Sequence, residues 1–282
     1  MTQEKGVDIL IPACARPAAL AACLASLTAQ DFKDFSVVIS DQTEEYDVAS
    51  MPELRTLIRI LASHGNGVTV YKRLPMRGMA EQRHFLLERS SAPSVLFIDD
   101  DLVLEPYVVG RMRAALDEEK CGFVGSATIG LSYLNDIRPF EQHIEFWEGR
   151  VEPETVLPET QQWERHRLHN AANIYHVQKA LGISPANQRK YRVAWVGGCV
   201  MYDADKLRRA GGFSFWRRLP PEHCGEDVLA QLNVMEIFGG CGIIPTGVYH
   251  QELPTTIPDR RVNVVNLLKN GNSALRNFKY ST

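Results

Sequence analysis

Three consecutive aspartates, Asp99, Asp100 and Asp101, close the apolar run Ser94 to Ile98. A run of that kind reads as a buried strand, and the carboxyl ends of such strands are where open α/β sheets bind ligands. Crowded there, the carboxylates repel one another unless a cation joins them. Hard oxygen donors of this sort suit Mg²⁺ or Mn²⁺ shared with a substrate's phosphates. Capping of a helix that starts near Pro106 is the plainer use of the same residues. A second acidic element, Glu226-Asp227, follows Gly225 and opens an apolar-periodic helix; it could serve as a general base or merely cap that helix. His250 ends a strand and could complete a metal shell or be structural.

Other candidates sit at neighbouring strand ends. Asp41 closes Val37 to Ser40, where a carboxylate can accept hydrogen bonds from a base or ribose, or simply form an Asx turn. Arg77-Gly78 and Arg83 lie where a loop enters a helix, a place that favours an anion. Surface solvation is the commoner fate of arginine. Gly197-Gly198 weakens its strand unless something approaches the backbone closely, and Trp195 offers an aromatic face to a sugar or to the core. The first strand ends at Pro12-Ala13-Cys14-Ala15-Arg16 without Gly-x-Gly-x-x-Gly or Gly-Lys-Ser/Thr. That absence argues against a dinucleotide enzyme and a P-loop ATPase.

These residues need a frame. Strand signals at 7–11, 35–40, 68–72, 94–98 and 121–129 alternate with helix signals at 17–30, 52–63, 79–89 and 106–120. The rhythm predicts a mostly parallel sheet with helices on both faces. From 131 to 192 the pattern turns polar, aromatic and proline-bearing, which predicts an insertion with one helix near 161–181. Regularity returns as strands at 193–202 and 242–250, helices at 204–210 and 226–238, and a helical tail at 262–277.

A formal charge of −3 over 282 residues excludes a general affinity for nucleic acid. No run of 18 apolar residues predicts a membrane span. The six cysteines form no CxxC pair, so buried thiols in a reducing compartment are expected, and no signal-peptide pattern precedes the first strand. The expected location is the cytoplasm, with peripheral attachment through a membrane-bound substrate left open.

In order, Ile9-Leu10-Ile11-Pro12 with Arg16, Val38 to Asp41, Arg77-Gly78 through Arg83, Phe97 to Asp101, Val196-Gly197-Gly198, Gly225-Glu226-Asp227 and His250 resemble family 2 glycosyltransferases of the GT-A fold. The resemblance implies an α/β chain with a Rossmann-like sheet and an acceptor-side insertion. One domain would span 1–282, with a nucleotide-sugar half at 1–130, the insertion at 131–192 and an acceptor half at 193–282. It implies that Pro12, Ala13, Arg16 and Asp41 hold the nucleoside, that Arg77, Gly78, Arg83, Asp99 and Asp100 hold diphosphate, ribose and sugar, and that Trp195, Gly197 and Gly198 border the sugar. Asp101, with Asp99 and His250, would bind Mn²⁺ or Mg²⁺. Asp227 would be the base, with Glu226 in reserve. The implied activity is single-sugar, inverting transfer from a nucleotide-diphosphate sugar, a UDP-sugar first among them, to a hydroxyl on a glycan, a lipid-linked acceptor or a small molecule. The Gln-x-x-Arg-Trp motif of processive synthases is missing. A sugar-phosphate nucleotidyltransferase or a non-catalytic nucleotide-sugar-binding protein are the alternatives.

Overall fold

The computed structural model describes residues 6–269. Apolar side chains on both faces bury β1 (Val7–Ala13) along its whole length, and it pairs in parallel with β2 (Phe35–Asp41). Helices α1 (Pro17–Thr28) and α2 (Pro52–Ser63) both start on proline, whose fixed φ and missing N–H suit a first helical turn. Beyond them β3 (Val68–Lys72) adds to β2, α3 (Met79–Glu88) crosses back, and β4 (Ser94–Ile98) lies parallel to β1 on its other side.

The chain then builds β5 (Leu102–Leu104), α4 (Val108–Glu119), β6 (Phe123–Gly125) and β7 (Thr128–Ile129). After these come α5 (Asn173–Ala180), β8 (Arg189–Tyr191), β9 (Cys199–Asp203), α6 (Ala204–Arg209) and α7 (Glu226–Phe238). Last are β10 (Gly240–Ile244), β11 (Val248–His250) and α8 (Val264–Leu268). The eight-stranded sheet runs β3-β2-β1-β4-β9-β6-β10-β8, with β9 and β8 antiparallel to their neighbours. Alternation along each strand splits the core in two. Ile9, Ile11, Leu96 and Ile98 face α1, α2 and α4, while Leu10, Val95 and Phe97 face α3, α6 and α7.

A second sheet, β5-β11-β7, stands just beyond the carboxyl edge of β4. In it His250 pairs with Leu102, so the register itself carries His250 to the residue after Asp101.

Several elements differ from the sequence expectation. The strand expected over 121–129 divides into β6 and β7, which belong to different sheets; between them Ser126 donates through its backbone to Cys199 O (3.0 Å) and through Oγ to Thr246 O (2.8 Å). The strand expected over 242–250 divides at Pro245, which has no N–H to give a ladder. Residues 193–198 are not strand: Gln231 from α7 grips Val196, accepting from its N–H and donating to its carbonyl (2.8 Å each), and so replaces a neighbouring strand. Gly198 then turns the chain with φ +76°, a region that other residues rarely adopt. The single insertion helix is instead a 3₁₀ helix over Trp163–His169 followed by α5, and α4 begins at Val108 rather than 106. The insertion also supplies an unexpected edge strand, β8. Of the expected tail helix, α8 is seen and residues 270–277 lie outside the described ones.

Candidate active site

The carboxyl ends of β1 and β4, the start of α3, the start of α7 and the segment after β11 surround a cavity of about 360 Å³. Its wall contains Pro12, Ala13 and Arg16 from the first loop, Gln82 and Arg83 from α3, and all three strand-end aspartates. Glu226, Asp227 and His250 also line it. Arg83 and Glu226, 143 positions apart in sequence, thus share one space, because α3 packs against both β1 and α7.

Arg83 is the hub. Its side chain is buried, with Nη2 donating to Asp99 Oδ1 (2.9 Å) and Nε to Glu226 Oε1 (3.1 Å). Burial alone would lower its pKa; the carboxylates of Asp99 and Glu226 more than offset that and hold it above the ordinary arginine value. Arg16 serves the other two aspartates, lying 2.8 Å from Asp101 and 3.5 Å from Asp100. Asp100 also accepts from Cys14 N (3.4 Å), and burial, then the neighbouring Asp101, push its pKa up to about 7. Asp101 is raised as well, first by burial, against the pull of His250 and Arg16.

The pair at the start of α7 divides differently. Glu226 is committed to Arg83, whereas Asp227 has no ion-pair partner among the described residues. Burial, then the charge of Glu226, push the Asp227 carboxyl up to about 7. A half-buried carboxyl of that kind, open to a cavity, can hold or accept a proton near neutral pH.

For a divalent cation, Asp101 and the second oxygen of the partly exposed Asp99 provide the hard oxygen donors such an ion prefers. His250 fits less well as placed. Its Nδ1 accepts from Glu252 N (2.7 Å), which puts the ring proton on Nε2, aimed at Asp101 Oδ2 across 3.6 Å. Among the described residues no group of three or more His, Cys, Asp and Glu side chains is arranged to hold a metal ion.

Other expected site residues stand apart. Asp41 is fully buried and off the cavity wall; its oxygens accept from Thr43 N (2.9 Å) and Lys72 Nζ (3.1 Å). Arg77 is exposed and also absent from the wall. Gly78 has φ +93° and packs on His223: a Cβ there would lie 2.5 Å from the imidazole. Trp195 stacks on His166 (centroids 4.9 Å, planes 10° apart) and touches Trp163 (4.5 Å), so it joins the insertion to the sheet instead of facing the cavity. Gly197 is likewise off the wall, while Gly198 accepts from Asp99 N (3.0 Å) and fixes the base of the aspartate loop.

The sequence reading missed His223 and the segment Leu253 to Arg260, both part of the wall. Thr255, Thr256, Ile257 and Arg260 face the cavity there, and Arg16 donates to Pro254 O, tying this segment to the aspartates. Arg260 has no ion-pair partner among the described residues, so a third cation borders the cavity uncommitted. His223 stood next to the acidic pair in sequence and could have been read with it. Arg260 sits in a polar stretch without periodicity and carried no signal.

The glycosyl transferase family 2 model matches residues 8–177, more than half of the chain. The chain belongs to that family. Among solved structures, the family 2 chain is similar to Staphylococcus aureus TarS 1-349 in complex with UDP-GlcNAc, at 16% identity and a TM-score of 0.53, over 89% of this chain and 60% of that one. Full TarS gives 15% identity and a TM-score of 0.52, over 86% of this chain and 36% of TarS. The family 2 chain therefore spans less than two thirds of either structure, and the likeness establishes its GT-A fold. No curated protein sequence matches it.

Proposed function

We propose that this family 2 glycosyltransferase moves a single sugar from a nucleotide-diphosphate sugar to an acceptor hydroxyl, with inversion at the anomeric carbon. The observation that carries the proposal is the division of partners in one cavity: arginines beside the strand-end aspartates, and on the same wall an Asp227 carboxyl without an ion pair, pushed up to about 7. The bound UDP-GlcNAc of TarS supports a UDP-sugar as donor.

In the proposed reaction Arg260 and Arg83 meet the diphosphate, where charge develops as the glycosidic bond breaks through an oxocarbenium-like state. Asp227 takes the proton of the acceptor hydroxyl on the face away from the leaving group. Glu226 keeps Arg83 in place. A Mn²⁺ or Mg²⁺ ion, when bound, would be held by Asp101 and Asp99 and would stabilise charge on the diphosphate as a Lewis acid. The whole chain acts as one catalytic domain in this reading, with the insertion on the acceptor side.

Among the described residues no helix is long and apolar enough to cross a membrane. A cytoplasmic place for the enzyme is supported by six cysteines that are all free thiols.

The test is a panel of nucleotide sugars screened by thermal shift, with Mn²⁺ and with chelator, followed by nucleoside diphosphate release. Ligands that bind only the folded state raise its melting temperature by mass action. A UDP-sugar that stabilises the chain and is turned over supports the proposal; a panel without either effect refutes it.

A further inference from the structure

Helix α3 begins without a cap of its own: Gly78 precedes it and has no side chain to satisfy the first N–H groups. One of those donors finds a partner 143 positions away. Ala80 N donates to His223 Nε2 (3.1 Å), and His223 Nδ1 lies 2.7 Å from Pro220 O. Because an N–H points at Nε2, the ring proton must be on Nδ1, donated to the Pro220 carbonyl. The imidazole is fully buried, and burial pushes its pKa down, which keeps it neutral and able to accept.

The absent side chain at Gly78 is part of the same device. A Cβ there would lie 2.5 Å from His223 Cε1 and 2.5 Å from Pro221 O, so only glycine lets the loop 220–225 press onto α3. The other side of that loop is held too: Cys224 N donates to Val262 O (3.0 Å), and Val264 N to Cys224 O (2.9 Å).

Three residues beyond Ala80 on α3 is Arg83; three residues beyond His223 is Glu226, its ion-pair partner at 3.1 Å. Two stitches, one helical turn apart, therefore join the same pair of elements. We infer that His223 is a positioning residue, which fixes the start of α7, and with it Asp227, against the helix that presents Arg83. This rests on the transfer reaction proposed above. Arg83 and Glu226 give the loop one polar point of contact with α3, and the histidine sets a second. A misplacement of about 1 Å between reacting groups costs on the order of 10²-fold in rate.

The experiment has one readout that needs no turnover. In ¹⁵N spectra of the parent protein, His223 should carry its proton on Nδ1 at neutral pH, and the Ala80 amide should exchange slowly. His223→Asn keeps a donor for Pro220 O and loses the acceptor, so Ala80 exchange should quicken at least about tenfold; His223→Gln, whose carbonyl reaches the Nε2 position, should restore the slow rate. In transfer, His223→Asn should lose on the order of 10²-fold in kcat with donor KM within about threefold, and His223→Gln should return most of it. A parent ring protonated on Nε2, or a folded His223→Asn with parental kcat, overturns the inference. If the parent turns over no nucleotide sugar, the transfer reading fails, and the tautomer and exchange results still decide whether the stitch exists.

Discussion

The two acidic groups of the cavity look alike in sequence and differ in what surrounds them. At the end of β4, each aspartate has an arginine: Asp99 has Arg83, and Asp100 and Asp101 share Arg16. At the start of α7, Glu226 takes the other side of Arg83 and Asp227 is left without an ion pair. An arginine partner fixes each strand-end carboxylate in place, which suits anchoring a cation or a sugar, even though burial still raises Asp100 to about 7. An uncompensated one is poised to exchange a proton near neutrality. Position on a sheet edge or helix start decides where a carboxylate goes, and an ion-pair partner decides whether its oxygens are already engaged.

The sharpest break in that contrast is Asp227→Asn, which removes the proton acceptor and leaves the anchors. Single-turnover transfer should fall about 10²- to 10⁴-fold while donor affinity stays parental, measured by calorimetry. An unchanged rate would falsify the division of roles.

Arg83→Ala attacks the bridge between the two groups. It strands Asp99 and the buried Glu226 together, and the loss of one partner from a buried ionic cluster typically costs about 3–5 kcal/mol. Denaturant unfolding should show a loss of that order, with donor binding weakened as well; a stability within about 0.5 kcal/mol of the parent would mean the hub is not shared.

Asp101→Asn tests the anchoring side alone. Donor affinity in the parent should drop when chelator replaces Mn²⁺, and in the variant the two affinities should converge; a variant with undiminished metal dependence would move the ion to other ligands.

The smallest effect concerns pH and Asp227. Burial favours its protonated form, so the parent's transfer rate should climb with pH and reach half its maximum near 7. Stability runs the other way: the raised carboxyl supports the fold below its ordinary value of 3.8, and that support is lost as pH rises through about 7. Asp227→Asn should therefore melt with the parent at pH 4 and a few degrees above it at pH 8. Equal melting temperatures at both pH values would show the carboxyl to be unperturbed.

Much of the frame could be read directly because the sheet's centre is buried on both faces. Ser94–Ile98, Val68–Lys72, Pro52–Ser63 and Glu226–Phe238 fall where hydrophobic runs, prolines and periodicity put them. Breaks imposed by distant partners were not legible. Val196 leaves the strand because Gln231 holds its backbone, and Arg189–Tyr191 becomes a strand only because β10 offers an edge. The site divides along the same line. Asp99 to Asp101, Arg83, Glu226 and Asp227 announced themselves by clustering at element ends, and the cavity holds them together. Asp41 occupied an equivalent strand end, yet Lys72 on the next strand claims it. His223 acquires its meaning through Ala80, 143 positions away in sequence, and Arg260 through the cavity that it borders.

The place of β9 in the sheet bears on how the chain is made. β4 has β1 on one side as soon as it emerges, but its other edge waits for Cys199–Asp203, and the loop after it waits for the Gly198 carbonyl that accepts from Asp99 N. At ribosomal speeds about a hundred residues take roughly 5–20 s to add. Throughout that interval an apolar strand edge, tipped with three like charges, stands open, and such edges recruit other chains. Nascent or truncated chains that stop short of Cys199 should thus betray themselves by poor solubility.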